Sequence, residues 1–160
     1  MSSRAILNSV PLHFPQQAEK LNGWYFIITV VLPIAIGSTI YILFRSTRLY
    51  VFHWIDWMQI ANPIMLIRMK AAHFVIPNQI LYSLPDGIWV FSGTSALLYI
   101  WDGYKSWLSS IWISIPFLAG MVMEFGQGLN LVPGTFSIAD LVYNICAFTL
   151  SIITAYLWSR

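Results

Sequence analysis

Polar residues in this chain are few, and they fall between long apolar stretches instead of alternating with them. Trp24 to Phe44 runs 21 residues without a charge, about 31 Å at the helical rise, which matches a hydrocarbon core roughly 30 Å thick. This is the first predicted span. Pro33 and Gly37 lie inside it, and spanning helices tolerate both where neighbours satisfy the freed backbone groups. Residues 45 to 82 read differently. Arg45, Arg48, His53, Asp56, Pro63, Arg68, Lys70, His73 and Pro77 break every apolar stretch there. His53, Asp56 and Gln59 recur every three residues among bulky apolar neighbours. That narrow polar stripe predicts an amphipathic helix at the membrane surface or tucked against the bundle.

Ser83-Leu84-Pro85-Asp86 then reads as a helix start. A serine cap, a proline in the first turn and a carboxylate three residues after the cap all suit orphan N–H groups and the positive end of a helix. The second span is predicted over 84–101. Asp102-Gly103-Tyr104-Lys105-Ser106 makes a polar turn into a third span, 107–125. A Gly/Pro-bearing loop follows, and Ser137-Ile138-Ala139-Asp140 repeats the start signature before a fourth span, 138–158. The expected architecture is all-α: a polytopic transmembrane helical bundle of about four spans plus an amphipathic interfacial helix. Residues 1–23 form a polar N-terminal segment and 24–160 a single transmembrane domain, with 45–82 as its interfacial segment.

Composition agrees with a lipid solvent. Of 160 residues, 58% are hydrophobic and 9% charged, where a soluble domain carries roughly a quarter charged, and the mean hydropathy is +0.70. The aromatics, 8 Trp, 8 Tyr and 10 Phe, supply interfacial anchors. Eight basic residues give a formal charge of +2 without a basic run, so nucleic acid is not an expected partner. Cys146 is the only cysteine, which excludes an internal disulfide or a Cys-based metal site. No apolar stretch with a small-residue cleavage site precedes residue 24, so no cleavable signal peptide is expected, and the first span is long enough to serve as an anchor.

Four spans place both termini on one side, whereas a fifth crossing within residues 50 to 80 would separate them. Arg45, Arg48, Arg68 and Lys70 then share one face, and Arg4, Lys20, Lys105 and Arg160 the other. With the basic residues divided equally, the positive-inside rule does not orient the bundle.

Connectivity locates the candidate chemistry. The starts of spans two and four and the end of span three share a face, which gathers Asp86, Glu124 and Asp140 at one end of the bundle. Gln127 lies three residues past Glu124, and Asn144 four past Asp140, so each acid shares a helix face with an amide if helix persists to Gln127. A polar pocket at one membrane boundary follows, roofed by the segment that carries His53, Asp56 and His73.

Each of these residues also has a purely structural reading. Asp86 and Asp140 in first turns stabilise the helix dipole in any case. Asn144 can hydrogen-bond a neighbouring helix. Glu124 is the exception: at the negative end of its helix it needs a donor, a cation or a bound proton. His53 and His73 read as interfacial residues, and Gly128, Pro133, Gly134 and Thr135 as loop-shaping ones. No nucleophile elbow, P-loop, HExxH or cofactor motif is present.

Glu124-x-x-Gln127, the loop Val132-Pro133-Gly134-Thr135-Phe136 and Asp140-x-x-x-Asn144, with the Asp86 helix start, resemble the VanZ-like family of small bacterial membrane proteins over residues 80 to 155. The resemblance implies a bacterial inner-membrane protein of the cell envelope, in a family named for a glycopeptide-resistance accessory protein linked with reduced teicoplanin susceptibility. It also implies that Asp86, Glu124, Gln127, Asp140 and Asn144 are the shared polar positions. The chain departs from the family where a lysine and a histidine often follow the first aspartate. Gly87 and Val90 stand there, and the loop from Phe125 to Ala139 has no basic residue.

Two functions are expected from these residues. The first is a VanZ-like protein whose boundary pocket binds a polar or cationic ligand or a lipid head group, with membrane lipids as its partners. The alternative is a non-catalytic accessory or structural subunit of a larger membrane complex, docked through the Trp54 and Trp57 segment. Carboxylates without a nucleophile or metal motif make only a weak case for catalysis.

Overall fold

The computed structural model describes residues 21–47, 50–74 and 76–160. The predicted polar segment up to residue 20, and Arg48, lie outside them. The described residues form helices and connecting turns, with no strand among them.

Helix α1 (Gly23–Phe44) is capped by Asn22, whose Oδ1 accepts from the Tyr25 N–H at 3.0 Å. Its middle widens into a π-turn over Ile27–Val31, with the Leu32 N–H reaching the Ile27 carbonyl five residues back. Pro33 explains the widening. Its ring would press on the Thr29 carbonyl in a regular helix, and one wider turn relieves that clash while keeping the backbone bonded.

The end of α1 is held by a side chain. Arg68 donates to the Ile42 carbonyl and, at 2.7 Å, to the Arg45 carbonyl, satisfying groups that a helix end leaves orphaned. Arg68 belongs to α3 (Ala61–Ala71), which follows α2 (Tyr50–Trp57). At 8 and 11 residues, these helices reach only about 12 and 17 Å. Neither can cross a hydrocarbon core. Phe52 and Ile55 point α2 inward, while Tyr50, Trp54 and Trp57 stay exposed, and the predicted His53–Asp56 stripe lies on the exposed side.

Helix α4 (Asn78–Ile100) begins two turns before the predicted start at Leu84. Ser83-Leu84-Pro85-Asp86 is therefore interior helix, which corrects the helix start expected there. Pro77, extended and without an N–H, is the true boundary. Pro85 forfeits one intrahelical bond without ending the helix. Small residues on α4 allow close packing against α1, α5 and α6. A Cβ at Gly87, for example, would come within 3.3 Å of the Tyr143 backbone.

Ser106 and Ser109 form a reciprocal capping box, with bonds of 3.1 and 3.0 Å, at the start of α5 (Trp107–Gly128). This helix runs past the predicted end at Phe125 and keeps Gln127 helical. Ser137 caps α6 (Ile138–Trp158), its Oγ accepting from the Asp140 N–H at 3.4 Å. The repeated start signature is thus real here.

Among the described residues three helices, α1, α5 and α6, are long and apolar enough to cross a membrane. Their outer faces expose Leu32, Ile36, Leu118, Val122, Ile145 and Ile153, while Thr29, Ser92, Thr94, Ser95 and Ser151 are buried. A soluble fold sorts its residues the other way. The chain is a membrane protein. Its two ends are tied separately. At one, the Leu21 N–H meets Asp102 Oδ2 at 2.6 Å and the Trp158 indole meets Asn22 Oδ1 at 3.2 Å. At the other, the end of α1 and of α5 meet the starts of α4 and α6.

Candidate functional site

Three carboxylates converge at that second end, each from a different helix. Asp86 projects from the early turns of α4, Glu124 from the last turns of α5 and Asp140 from the first turn of α6. Glu124 is 5% exposed and Asp140 9%. Glu124 interacts electrostatically with both other acids, and Asp86 with Arg45.

The donor that Glu124 needs comes from the next helix. Ser137, the α6 cap, donates its backbone N–H to Glu124 Oε2 at 3.2 Å. A carboxylate at the unfavourable end of α5 thereby sits against the favourable end of α6.

Two adjoining cavities open on these residues. The first, about 460 Å³, is lined by Arg45, Asn78 and Tyr82 on one side and by Asp86, Glu124, Gln127 and Asp140 on the other. The second, about 410 Å³, lies between α4 and α5, among Trp89, Val90, Pro116, Ala119, Gly120 and Met123, with Asn144 of α6 against it. Asp86, Glu124 and Gln127 line both. All five predicted polar positions therefore line one cavity or the other.

Two of them carry unmet hydrogen-bonding capacity. Asp140 Oδ1 and Asn144 Oδ1 are buried without a hydrogen-bond partner, and Asn144 is 2% exposed. Leaving a buried acceptor unsatisfied costs on the order of 1–3 kcal/mol. Such a cost is offset when a ligand or water brings a donor.

Glycines make the room. Gly134 has φ +143°, and a Cβ there would sit 2.5 Å from Gln127 Cδ, so the loop closes over Gln127 only with glycine at that position. A Cβ on Gly120 would lie 2.9 Å from Asn144 Nδ2.

The roof differs from the expected one. His53, Asp56 and His73 line neither cavity and are exposed: α2 turns its apolar Phe52 and Ile55 inward and its His53–Asp56 stripe outward, and His73 lies in the turn after α3. From residues 45–82, the wall takes Arg45, Asn78 and Tyr82 instead. Arg45 is the functional candidate that motif reading passed over, although connectivity already placed it on the acidic face. Its guanidinium donates to the Tyr82 carbonyl at 3.4 Å and lies 4.6 Å from the Tyr82 ring centroid. It is a cation supplied from the end of α1.

Among the described residues no three His, Cys, Asp or Glu side chains converge as a metal site, and no histidine or cysteine lines either cavity. The set is rich in acceptors with one guanidinium. It suits recognition of hydrogen-bond donors carrying positive charge.

Comparison with known protein families, with curated proteins and with solved structures finds no match to the chain.

Proposed function

We propose that this membrane protein is a VanZ-like component of the bacterial inner membrane and cell envelope, with a boundary pocket that binds a cationic or polar head group. In this reading α4 is a fourth crossing, since it is 23 residues long and packs against α1, α5 and α6. Helices α2 and α3 lie along the interface. Asp86, Glu124 and Asp140 supply negative charge, and Gln127 and Asn144 supply amide oxygens. The observation that carries the reading is the pair of buried, unpartnered oxygens, Asp140 Oδ1 and Asn144 Oδ1, beside cavities walled by two further acids.

The test uses the purified protein in mild detergent with butylammonium as the probe. Glu124→Gln and Asp140→Asn each keep the side-chain shape while removing a charge, and each is expected to weaken binding by roughly tenfold, the worth of one charge-assisted hydrogen bond. Unchanged binding in two variants that fold normally would sink the pocket reading.

A second reading rests on α2, where Tyr50, Trp54 and Trp57 are 86%, 68% and 84% exposed. Exposed aromatics suit a protein partner as well as a lipid interface. A stoichiometric partner that co-purifies, and is lost on Trp54→Ala with Trp57→Ala, would favour an accessory subunit.

A further inference from the structure

The polar cavity does not end at its acids. The second cavity continues from Asp86, Glu124 and Gln127 along the seam between α4 and α5, as far as Val90 and Pro116. From Glu124 back to Pro116 is on the order of 12 Å along the helix. Its carboxylates lie at one end, and its walls away from them are Val90, Pro116 and Ala119. A hydrophilic ligand would leave those walls unmatched, and a plain hydrocarbon would leave three carboxylates and two orphaned oxygens unmatched. Only a molecule with both characters satisfies the whole volume.

We infer that the site takes an amphiphile with a primary ammonium head, seated where the two cavities meet, and a hydrocarbon chain lying between α4 and α5. This rests on the head-group reading above and names the ligand class. The head must be a primary amine rather than a quaternary one for a specific reason. Asp140 Oδ1 and Asn144 Oδ1 lack hydrogen-bond donors, and an ammonium carries three N–H groups where a trimethylammonium carries none. The two residues are one turn apart on α6, so their Cβ atoms are about 5–6 Å apart. One ammonium can bridge that gap. The surrounding acids then compensate its charge, which a buried cation requires.

The chain gains its place from shape. Gly120 lets the Asn144 and Val90 side chains pack against the α5 wall of the second cavity, and Ala119, which also lines it, is exposed. Phenylalanine at position 119 would occupy the seam without disturbing buried packing. Ala119 does not line the first cavity.

The experiment compares dodecylammonium, dodecyltrimethylammonium and butylammonium by titration calorimetry on detergent-purified wild type, Ala119→Phe and Asp140→Asn. Partitioning of the long chains into micelles is common to all three proteins, so ratios between proteins isolate the site. Dodecylammonium should bind the wild type roughly tenfold or more tightly than dodecyltrimethylammonium, which has the same chain, the factor expected of one good donor set. Ala119→Phe should lower the dodecylammonium-to-butylammonium binding ratio by roughly tenfold or more relative to the wild type, the worth of a few buried methylenes. Asp140→Asn should weaken both primary amines. An Ala119→Phe protein that keeps the wild type's dodecylammonium-to-butylammonium ratio overturns the amphiphile inference while the head-group pocket stands. Equal binding of the primary and quaternary amines overturns the N–H assignment. Failure of butylammonium and dodecylammonium alike to bind removes the pocket reading itself.

Discussion

The backbone N–H of Ser137 meets Glu124 Oε2 at 3.2 Å, joining the end of α5 to the residue that caps α6. Ser137 serves twice, since its hydroxyl also accepts from the Asp140 N–H. The loop between them is thus closed by polar bonds at its far end, and the two acids that flank it are drawn to one wall. This single contact answers the electrostatic objection to a carboxylate at the end of α5.

It also separates folding from binding. Glu124→Gln retains an oxygen to accept from Ser137, so thermal stability should change little while binding of a cationic probe falls. Glu124→Ala leaves the Ser137 N–H without its partner and should lower stability by about 1–2 kcal/mol. Denaturation monitored by tryptophan fluorescence in detergent checks both, and equal stability of the two variants would show that the bond contributes nothing.

Gly134 tests the loop from the other side. Alanine at φ +143° is strained, and its Cβ would collide with Gln127. Gly134→Ala should cost about 1–3 kcal/mol and displace Gln127 from both cavities. Gly134→Ala in a Gln127→Ala background should cost less, because the collision is gone and only the backbone strain remains. Additive costs in that double-mutant cycle would show that Gln127 is not the obstacle.

How much of this was legible in the sequence depends on what kind of signal each residue carries. The apolar runs marked α1, α5 and α6 because lipid length and charge exclusion act on every residue of a span. Ser137 and Asp140 were legible because a cap needs only its own helix. The similar signature at Ser83–Asp86 misled, because a proline and a serine inside a helix look the same as those at its start until the preceding turn is seen to be helical. Convergence of Asp86, Glu124 and Asp140 followed from connectivity alone. The roles of Arg45 and the outward turn of His53 and Asp56 depended on how α3 packs on α1 and α2 on α3, with Phe52 and Ile55 buried, which no local pattern records.

Arg68 should prove the anchor of that fold-back. Its guanidinium caps α1 through the Ile42 and Arg45 carbonyls and lies 5.0 Å from the Phe52 ring centroid, so it holds α2, α3 and the end of α1 together. Arg68→Met keeps the apolar stem and loses the donors, at a cost of about 1.5–3 kcal/mol per charged bond. Hydrogen exchange should rise in residues 50–71 and at the end of α1 while α5 and α6 stay protected. A uniform rise across all helices would mean that Arg68 supports global stability only.

The fourth crossing can be decided by sidedness. If α4 spans, the turn at residues 102–106 lies on the opposite face from Thr47 and Asn130; if it folds back, Thr47 and Lys105 share a face. Cys146 is the only cysteine, so Cys146→Ser gives a clean background for Thr47→Cys, Lys105→Cys and Asn130→Cys. In sealed vesicles an impermeant maleimide should label Thr47→Cys and Asn130→Cys from one side and Lys105→Cys from the other. Labelling of Thr47→Cys and Lys105→Cys from the same side would leave three crossings and move the acidic pocket away from a shared boundary, because α4 could not then deliver Asp86 to the ends of α5 and α6. The asymmetry of α4 makes the outcome informative: it buries Ser83, Ser92, Thr94 and Ser95, so its low hydropathy comes from residues facing protein. A helix shielded on those sides can span lipid without presenting an apolar surface all round.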